Sequence, residues 1–192
     1  LGFTLLAFFL AVGIGAHAFD ELHDRPLGTR LSARVLGIIG GASLAAATAV
    51  GVVGVATVSA TLLPLVVFGA FICIAYNLEL FDGRFHNDLW FAVAWGGFPA
   101  FTGYWVNALH FSLAGILVAV ACGALSVAQR RLSTPARSLR RKTAALSGEQ
   151  VLLDGSSIEL SRSVLLKPLD GALQALSLAL TVLSVGLLAA RL

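Results

Sequence analysis

A long stretch without charged residues covers residues 35–77 and reads VLGIIGGASLAAATAVGVVGVATVSATLLPLVVFGAFICIAYN. A helix needs about 20 apolar residues to cross a bilayer core roughly 30 Å thick, and these 43 residues are enough for two such helices. Glycine and serine at residues 54–59 give the chain a place to turn. The stretch therefore predicts two membrane-spanning helices joined by a tight turn.

Three further apolar runs repeat this pattern. Residues 1–19 and 171–190 are each long enough for one span, and residues 89–129 are long enough for two, with a turn near residues 103–110. The chain is 58% hydrophobic and 12% charged, whereas soluble domains carry about 25% charged residues. We expect an all-α polytopic transmembrane bundle of about six spans. With only 2 cysteines, a disulfide-stapled secreted module is excluded.

Nearly all of the charge lies in three loops, at residues 20–34, 77–88 and 129–170. These loops hold 12 of the 13 Lys and Arg residues and all 10 acidic residues. If the six spans alternate in direction, all three loops emerge on one side of the membrane. Since basic loops resist translocation, we expect that side to be cytoplasmic and the protein to be integral to the plasma membrane. The formal net charge of +3 then reflects membrane orientation, and no nucleic-acid partner is expected.

The sequence divides into three parts. Residues 1–128 form a predicted bundle of five spans, residues 129–169 a basic cytoplasmic loop, and residues 170–192 a last transmembrane helix. The loop begins with a run of arginines that we expect to lie against anionic lipid head groups. It continues through Asp154 and Gly155, a turn pair between short apolar runs that is typical of a β-hairpin.

The end of the first span carries a dense set of metal-capable side chains. His17, Asp20 and Asp24 are spaced i, i+3 and i+7, which places them along one face if the helix continues. Glu21 directly follows Asp20, and Arg25 directly follows Asp24. Carboxylate oxygens are ligands suited to Mg²⁺, and the imidazole widens the choice to Mn, Fe or Zn. Acidic residues at the edge of a span usually have a partner or a function, so we interpret this segment as a candidate site.

The loop at residues 77–88 carries a second set, and the topology places it on the same side of the membrane. Glu79, His86 and Asp88 could complete a metal shell, and the planar guanidinium of Arg84 could bind a phosphate or carboxylate. We therefore predict a shared site built from both loops. The alternative is a solvated loop with local ion pairs.

Several short stretches resemble the UbiA superfamily of intramembrane prenyltransferases, with the menaquinone-type members most similar. Asp20-x-x-x-Asp24-Arg25-Pro26-Leu27 resembles the second half of the family's first motif, Asn-Asp-x-x-Asp-x-x-x-Asp, although Ala16 and His17 stand where that motif opens. The other similar stretches are Ala75-Tyr76 through Gly83, Trp95-Gly96-Gly97-Phe98-Pro99 and Thr102-Gly103-Tyr104-Trp105. The resemblance covers residues 1–128. It implies a UbiA-like fold and transfer of a polyprenyl diphosphate to a lipid or aromatic acceptor.

The resemblance also implies roles for individual residues. Asp20 and Asp24 would be catalytic and hold Mg²⁺ on the diphosphate. Arg25 and Arg84 would offset the charge of the leaving group, and Tyr76 and Asn77 belong to the matched substrate-binding region. The family's second carboxylate motif would follow residue 128, where this chain has Gln129-Arg130-Arg131.

Two other functions remain open at the sequence level. One is a membrane metalloenzyme or metal-binding protein with iron, manganese or zinc as its cofactor. Its ligands would be His17, Asp20, Glu21, Glu79, His86 and Asp88. The other is a non-catalytic subunit of a larger membrane complex, which would retain the fold without the chemistry.

Overall fold

The computed structural model describes residues 1–23 and 25–190 and is mostly helical. The described part of the chain contains six long helical segments. They are α1 (Gly2–His23), α2 (Ala33–Thr57), α3 (Ala60–Asn77), α4 (Asp88–Ala92, Val93–Gly97 and Phe98–Ala108 in succession), α5 (Leu113–Arg141) and α6 (Arg162–Ala189).

Five of these helices, α1, α2, α3, α5 and α6, are long and apolar enough to cross a membrane. The expectation of an all-α membrane protein is therefore confirmed in its coarse form. The predicted count of six spans is not confirmed, because α4 does not meet the same criterion. Helix α4 begins with Asp88 and carries Pro99, Tyr104 and Asn107, which lower its mean hydropathy below that of the other runs.

Two helices contain π-helical segments. Phe9–Ala16 is a π-helix within α1, and Val93–Gly97 is a π-helix within α4. A π turn holds an extra residue and frees backbone carbonyls from the regular pattern. One of these carbonyls, that of Ala11, accepts a hydrogen bond from the Cys73 thiol at 3.6 Å, which ties α1 to α3.

The core of the first compact unit, Leu1–Val127, lies where α1 packs on α2 and α3. Its buried residues include Ala16, Phe19, Leu44 and Cys73. Gly40 of α2 lies directly under the Phe19 ring, and a Cβ at Gly40 would come within 2.6 Å of that ring. Small residues let helix backbones approach closely in lipid, where there is little hydrophobic driving force between helices.

Two further contacts position α4. The Trp105 indole N–H donates a hydrogen bond to the Thr61 hydroxyl at 3.1 Å, which links α4 to the start of α3. Gly96 lies against the backbone carbonyl of Cys122 in α5, and a Cβ at Gly96 would overlap it. Helix α4 is therefore held on two sides by direct contacts.

The second compact unit is Ala128–Leu192. Helix α5 continues to Arg141 and α6 begins at Arg162, so the predicted loop at residues 129–169 is largely helical at both ends. The sequence interpretation used charge to mark where the membrane ends, but arginine, leucine and alanine favour helix outside the membrane as well. An ion pair between Arg140 and Asp170 joins the two helices.

A small β-hairpin lies between α5 and α6. Strands β1 (Glu149–Val151) and β2 (Ser157–Glu159) pair in antiparallel register, with Gln150 opposite Ile158. The Asp154-Gly155 pair lies in the turn, where Gly155 adopts a positive φ of 83°. The Asp154 carboxylate accepts hydrogen bonds from the hydroxyl and the backbone N–H of Ser156, at 2.6 and 2.9 Å. These bonds, that of the Ser156 hydroxyl first, hold the pKa of Asp154 below its ordinary value.

Candidate functional site

The end of α1 and the loop between α3 and α4 meet at Glu79. One carboxylate oxygen of Glu79 lies 3.6 Å from Nε2 of His23, and the other lies 3.5 Å from Nδ1 of His86. All three side chains are partly exposed. We name His23, Glu79 and His86 the His–Glu cluster. Polar residues of two separate loops thus lie close together here, and one of them, His23, was not among the predicted site residues.

The backbone of the loop is unusual where it presents Glu79. Glu79, Phe81 and Asp82 are non-glycine residues with positive φ angles of 48°, 59° and 57°, and Gly83 follows at 72°. Residues other than glycine rarely adopt this conformation, especially a bulky phenylalanine. The turn is held by a backbone hydrogen bond of 2.9 Å from the Gly83 N–H to the Glu79 carbonyl. The loop is thus a defined structure that fixes the direction of Glu79.

His86 is fixed by contacts with the end of α3. Its Nδ1 lies 3.1 Å from the Tyr76 carbonyl oxygen, and its ring stacks on the Tyr76 ring with centroids 4.5 Å apart. The buried Tyr76 ring also meets the Trp95 ring edge-on, at a centroid distance of 5.5 Å. The sequence interpretation expected Tyr76 in a substrate-binding region, and the structure gives it a packing role between His86 and Trp95.

Glu21 and Arg25 stabilise the loop that follows α1. The buried Glu21 carboxylate accepts hydrogen bonds from the backbone N–H groups of Leu27 and Thr29, at 2.8 and 2.6 Å, and from the Thr29 hydroxyl at 2.9 Å. The Arg25 guanidinium donates to the carbonyls of Thr29 and Leu31 at 3.1 and 3.2 Å. The predicted metal ligand Glu21 and the predicted phosphate-binding Arg25 are therefore engaged in building their own loop.

The other predicted site residues have varied positions. Asn77 is buried, and its amide donates to the Cys73 carbonyl at 2.6 Å, so it closes the last turn of α3. His17, Arg84 and Asp88 are exposed, whereas Asp20 is half-buried. The predicted catalytic and metal-binding residue Asp24 lies outside the described residues.

A metal site of three ligands is not formed by the part of the chain that the structure describes. Within residues 1–23 and 25–190, no three His, Cys, Asp or Glu side chains are arranged to hold one ion. The His–Glu cluster contains three suitable side chains, but both imidazoles face Glu79 at ion-pair distance and do not converge with it on a common point. The described residues therefore fit a Mg²⁺, Fe, Mn or Zn centre poorly.

An apolar cavity of about 260 Å³ lies inside the first unit. It extends from the turn between α2 and α3, at Val58 and Leu62, to Cys73 and Trp95. Most of its lining is aliphatic or aromatic, and the polar atoms come mainly from threonines. The lining residues from α1 and α4 include Phe8, Ala11, Val12, Ala94, Trp95 and Phe98.

Trp95 connects the cavity to the polar end of the bundle. Its side chain lines the cavity, and its ring contacts Tyr76, which in turn stacks on His86 of the His–Glu cluster. The sequence interpretation placed Trp95 only in a stretch resembling the UbiA superfamily and gave it no role. Its position in the sequence is the signal that could have identified it. Trp95 lies near the start of the predicted span that follows the loop with His86.

Comparison with models of known protein families gave no match, and neither curated proteins nor solved structures gave a significant match.

Proposed function

We propose that this chain is an integral membrane protein that binds an isoprenoid lipid. The hydrocarbon chain would occupy the cavity, and the polar head would lie at the His–Glu cluster. In keeping with the resemblance to the UbiA superfamily, we propose prenyl transfer from a polyprenyl diphosphate to a lipid or aromatic acceptor as the reaction.

One observation carries this proposal: Trp95 lines the cavity and contacts Tyr76, which stacks on His86 of the His–Glu cluster, so two rings in contact connect the cavity to the cluster. A lipid has an apolar chain joined to a polar head, and this arrangement provides an environment for each. Small-molecule sites are typically concave, mostly apolar and equipped with a few polar groups that fix orientation. The volume of about 260 Å³ is just below the usual range of about 300–1,000 Å³, which favours a single hydrocarbon chain.

The His–Glu cluster supplies groups that can hold or move a proton. Glu79 faces an imidazole on each side, and His86 is oriented by the Tyr76 carbonyl. A carboxylate paired with histidine can accept a proton from an acceptor hydroxyl, which is general-base catalysis. The apolar cavity excludes water from the allylic carbon and so protects a reactive intermediate.

The resemblance implies that Mg²⁺ neutralises the diphosphate when it binds. The described residues do not form a site for this ion, and Glu21 is already engaged by Leu27 and Thr29. We therefore assign no catalytic step to a metal. Of the two residues with a predicted catalytic role, Asp20 is the one that the structure describes. It is half-buried and lies near the end of α1 that carries His23.

Binding is tested with the full chain in lipid nanodiscs and tritiated geranylgeranyl diphosphate as the probe. Ala70 lines the cavity, so Ala70→Phe should fill it and abolish most of the binding. The matched control is Ala46→Phe, because Ala46 is exposed and is not part of the cavity lining. Equal binding by both variants and the native chain would contradict the proposed position of the hydrocarbon chain.

Transfer is tested by adding bacterial lipid extract or dihydroxynaphthoate, with and without Mg²⁺. A labelled prenyl product that is lost in Ala70→Phe and kept in Ala46→Phe supports the transferase. Binding without any product supports the second candidate.

The second candidate is a non-catalytic lipid-binding subunit of a larger membrane complex. The observation in its favour is the use of Glu21 and Arg25 as loop supports, since Arg25 would otherwise be available to a substrate diphosphate and Glu21 to a metal ion bound to it. This candidate predicts binding of geranylgeranyl diphosphate or its alcohol in the same cavity, with no product formed.

A further inference from the structure

The loop between α3 and α4 exposes an apolar surface as well as the polar groups of the His–Glu cluster. Phe81 is 63% exposed, and the neighbouring Leu80 is 38% exposed. Phe81 has a positive φ angle, which is unusual for a bulky residue. Glu79, two residues earlier, faces His23 and His86. The loop thus exposes apolar side chains at Leu80 and Phe81 and charged side chains at Asp82 and Arg84.

Four aromatic rings form a continuous cluster on this apolar surface. Phe71 contacts Phe85 at 5.2 Å and Phe81 at 6.4 Å between ring centroids, and Phe81 contacts Phe85 at 5.8 Å. Phe85 also contacts Trp90 at the start of α4, at 4.8 Å. We name Phe71, Phe81, Phe85 and Trp90 the aromatic wedge. Distances in this range are typical of favourable aromatic pairs.

The position of Phe71 sets the depth of the wedge. Phe71 lies in α3, which is long and apolar enough to span a membrane, and it precedes the end of that helix at Asn77 by six residues. At 1.5 Å per residue, Phe71 lies about 9 Å inside the helix end. Because the rings of Phe81 and Phe85 contact the ring of Phe71, the loop packs back against the last turns of the span. Phe71 itself is 40% exposed among the described residues, so its ring also contributes exposed apolar surface.

We infer that the aromatic wedge inserts into the membrane, at the boundary between the phospholipid head groups and the acyl chains. Aromatic side chains are enriched at this boundary, and large exposed apolar patches mark surfaces that are covered in use. The partner of the wedge is the acyl-chain region of the same bilayer that α3 crosses. Insertion places the His–Glu cluster at head-group depth, where lipid head groups reach it from within the membrane.

The inference is tested with nitroxide labels on the full chain in nanodiscs. The native thiols are first removed by Cys73→Ala and Cys122→Ala, and a label is attached through Phe81→Cys. The matched control is Arg84→Cys, because Arg84 is an exposed charged residue of the same loop, three positions further along. Accessibility of each label to oxygen, which concentrates in the bilayer, and to a water-soluble nickel complex gives its depth.

We expect the Phe81→Cys label to be several-fold more accessible to oxygen than to the nickel complex, and the Arg84→Cys label to show the opposite preference. Equal preference for the nickel complex at both positions would overturn the inference. If Phe81→Cys does not yield folded protein, Phe85→Cys takes its place with the same two outcomes, since Phe85 contacts the same span residue. The result does not depend on lipid binding in the cavity, so it is separate from the test of the proposed function.

Discussion

The imidazole of His23 lies 3.6 Å from the carboxylate of Glu79, and this contact joins two segments that are 56 residues apart in the sequence. It connects the end of the first helix to the loop that follows the third. Because Glu79 also faces His86, one carboxylate organises the polar end of the bundle. Both pairs are partly exposed, and exposed ion pairs contribute only about 0–1 kcal/mol to stability. We therefore expect the two pairs to matter for function more than for the stability of the fold.

Glu79→Gln removes the carboxylate charge while keeping the shape of the side chain. If the His–Glu cluster accepts a proton during transfer, the rate of prenyl transfer should fall about a hundredfold, the low end of the range for general-base catalysis. Binding of geranylgeranyl diphosphate should be kept, because in the proposed position most of its contacts would be those of its hydrocarbon chain with the cavity. Asp82→Asn is the control, since Asp82 is an exposed acid in the same loop. Equal transfer rates for the two variants would exclude Glu79 as the base.

Gly40 and Gly41 are neighbours in α2 with opposite surroundings. A Cβ at Gly40 would lie 2.6 Å from the buried Phe19 ring, whereas a Cβ at Gly41 would have no atom within 4 Å. We expect Gly40→Ala to destabilise the fold by about 1–3 kcal/mol through overpacking. Gly41→Ala should be neutral or slightly stabilising, because alanine favours helix. Thermal unfolding of both variants in the same detergent measures the difference, and equal melting temperatures would disprove the close packing of α1 on α2.

Glu21→Gln should loosen the loop after α1. The amide can accept through one oxygen only, and its NH₂ group would face a backbone N–H that now donates to the carboxylate. We expect a lower melting temperature and faster proteolysis within residues 25–31. Glu159→Gln, at an exposed position of the hairpin, should leave both properties unchanged. Resistance of Glu21→Gln to proteolysis equal to that of the native chain would contradict a structural role for this carboxylate.

The hairpin turn should weaken at acid pH. Hydrogen bonds from Ser156 lower the pKa of Asp154 in the folded turn, so the ionised carboxylate stabilises the turn at pH values above the unfolded pKa of about 3.9. This stabilisation is lost as the pH falls through the lower folded pKa. The chemical shift of the Asp154 carboxyl carbon, followed by NMR, should titrate below that of an unstructured aspartate. Ser156→Ala should shift the titration midpoint upwards, and an unchanged midpoint would show that the bonds do not persist in solution.

Hydropathy predicted much of the fold. The long apolar runs identified the helices, and the turn between α2 and α3 lies at residues 58–59, inside the predicted range. The extension of α5 to Arg141 was missed because charged residues were taken to end the helix, whereas they end only the membrane-compatible part of it. The π-helical segments also could not be predicted, since they arise from packing between helices and not from local preference.

The candidate site was predicted less completely. The sequence indicated that the two loops meet, and the His23–Glu79 contact is in keeping with this. It could not show that Glu21 would bind the backbone of its own loop, because the hydrogen-bond partners at Leu27 and Thr29 carry no sequence signature for that role. The cavity also depends on the relative positions of three helices, which hydropathy alone does not determine.

The π-helical segment Phe9–Ala16 allows α1 to tolerate the deletion of one residue, whereas the regular α-helix α2 does not tolerate it. A π turn accommodates a residue more than an α turn, so removal of one residue here can be absorbed by local reversion to α-helix, with Phe19 and Glu21 kept in register on the neighbouring helix. A single deletion within Ala33–Thr57 would instead rotate every later side chain by about 100°, or one step of the 3.6-residue turn. Length variation among natural variants of this chain should therefore concentrate in the first helix.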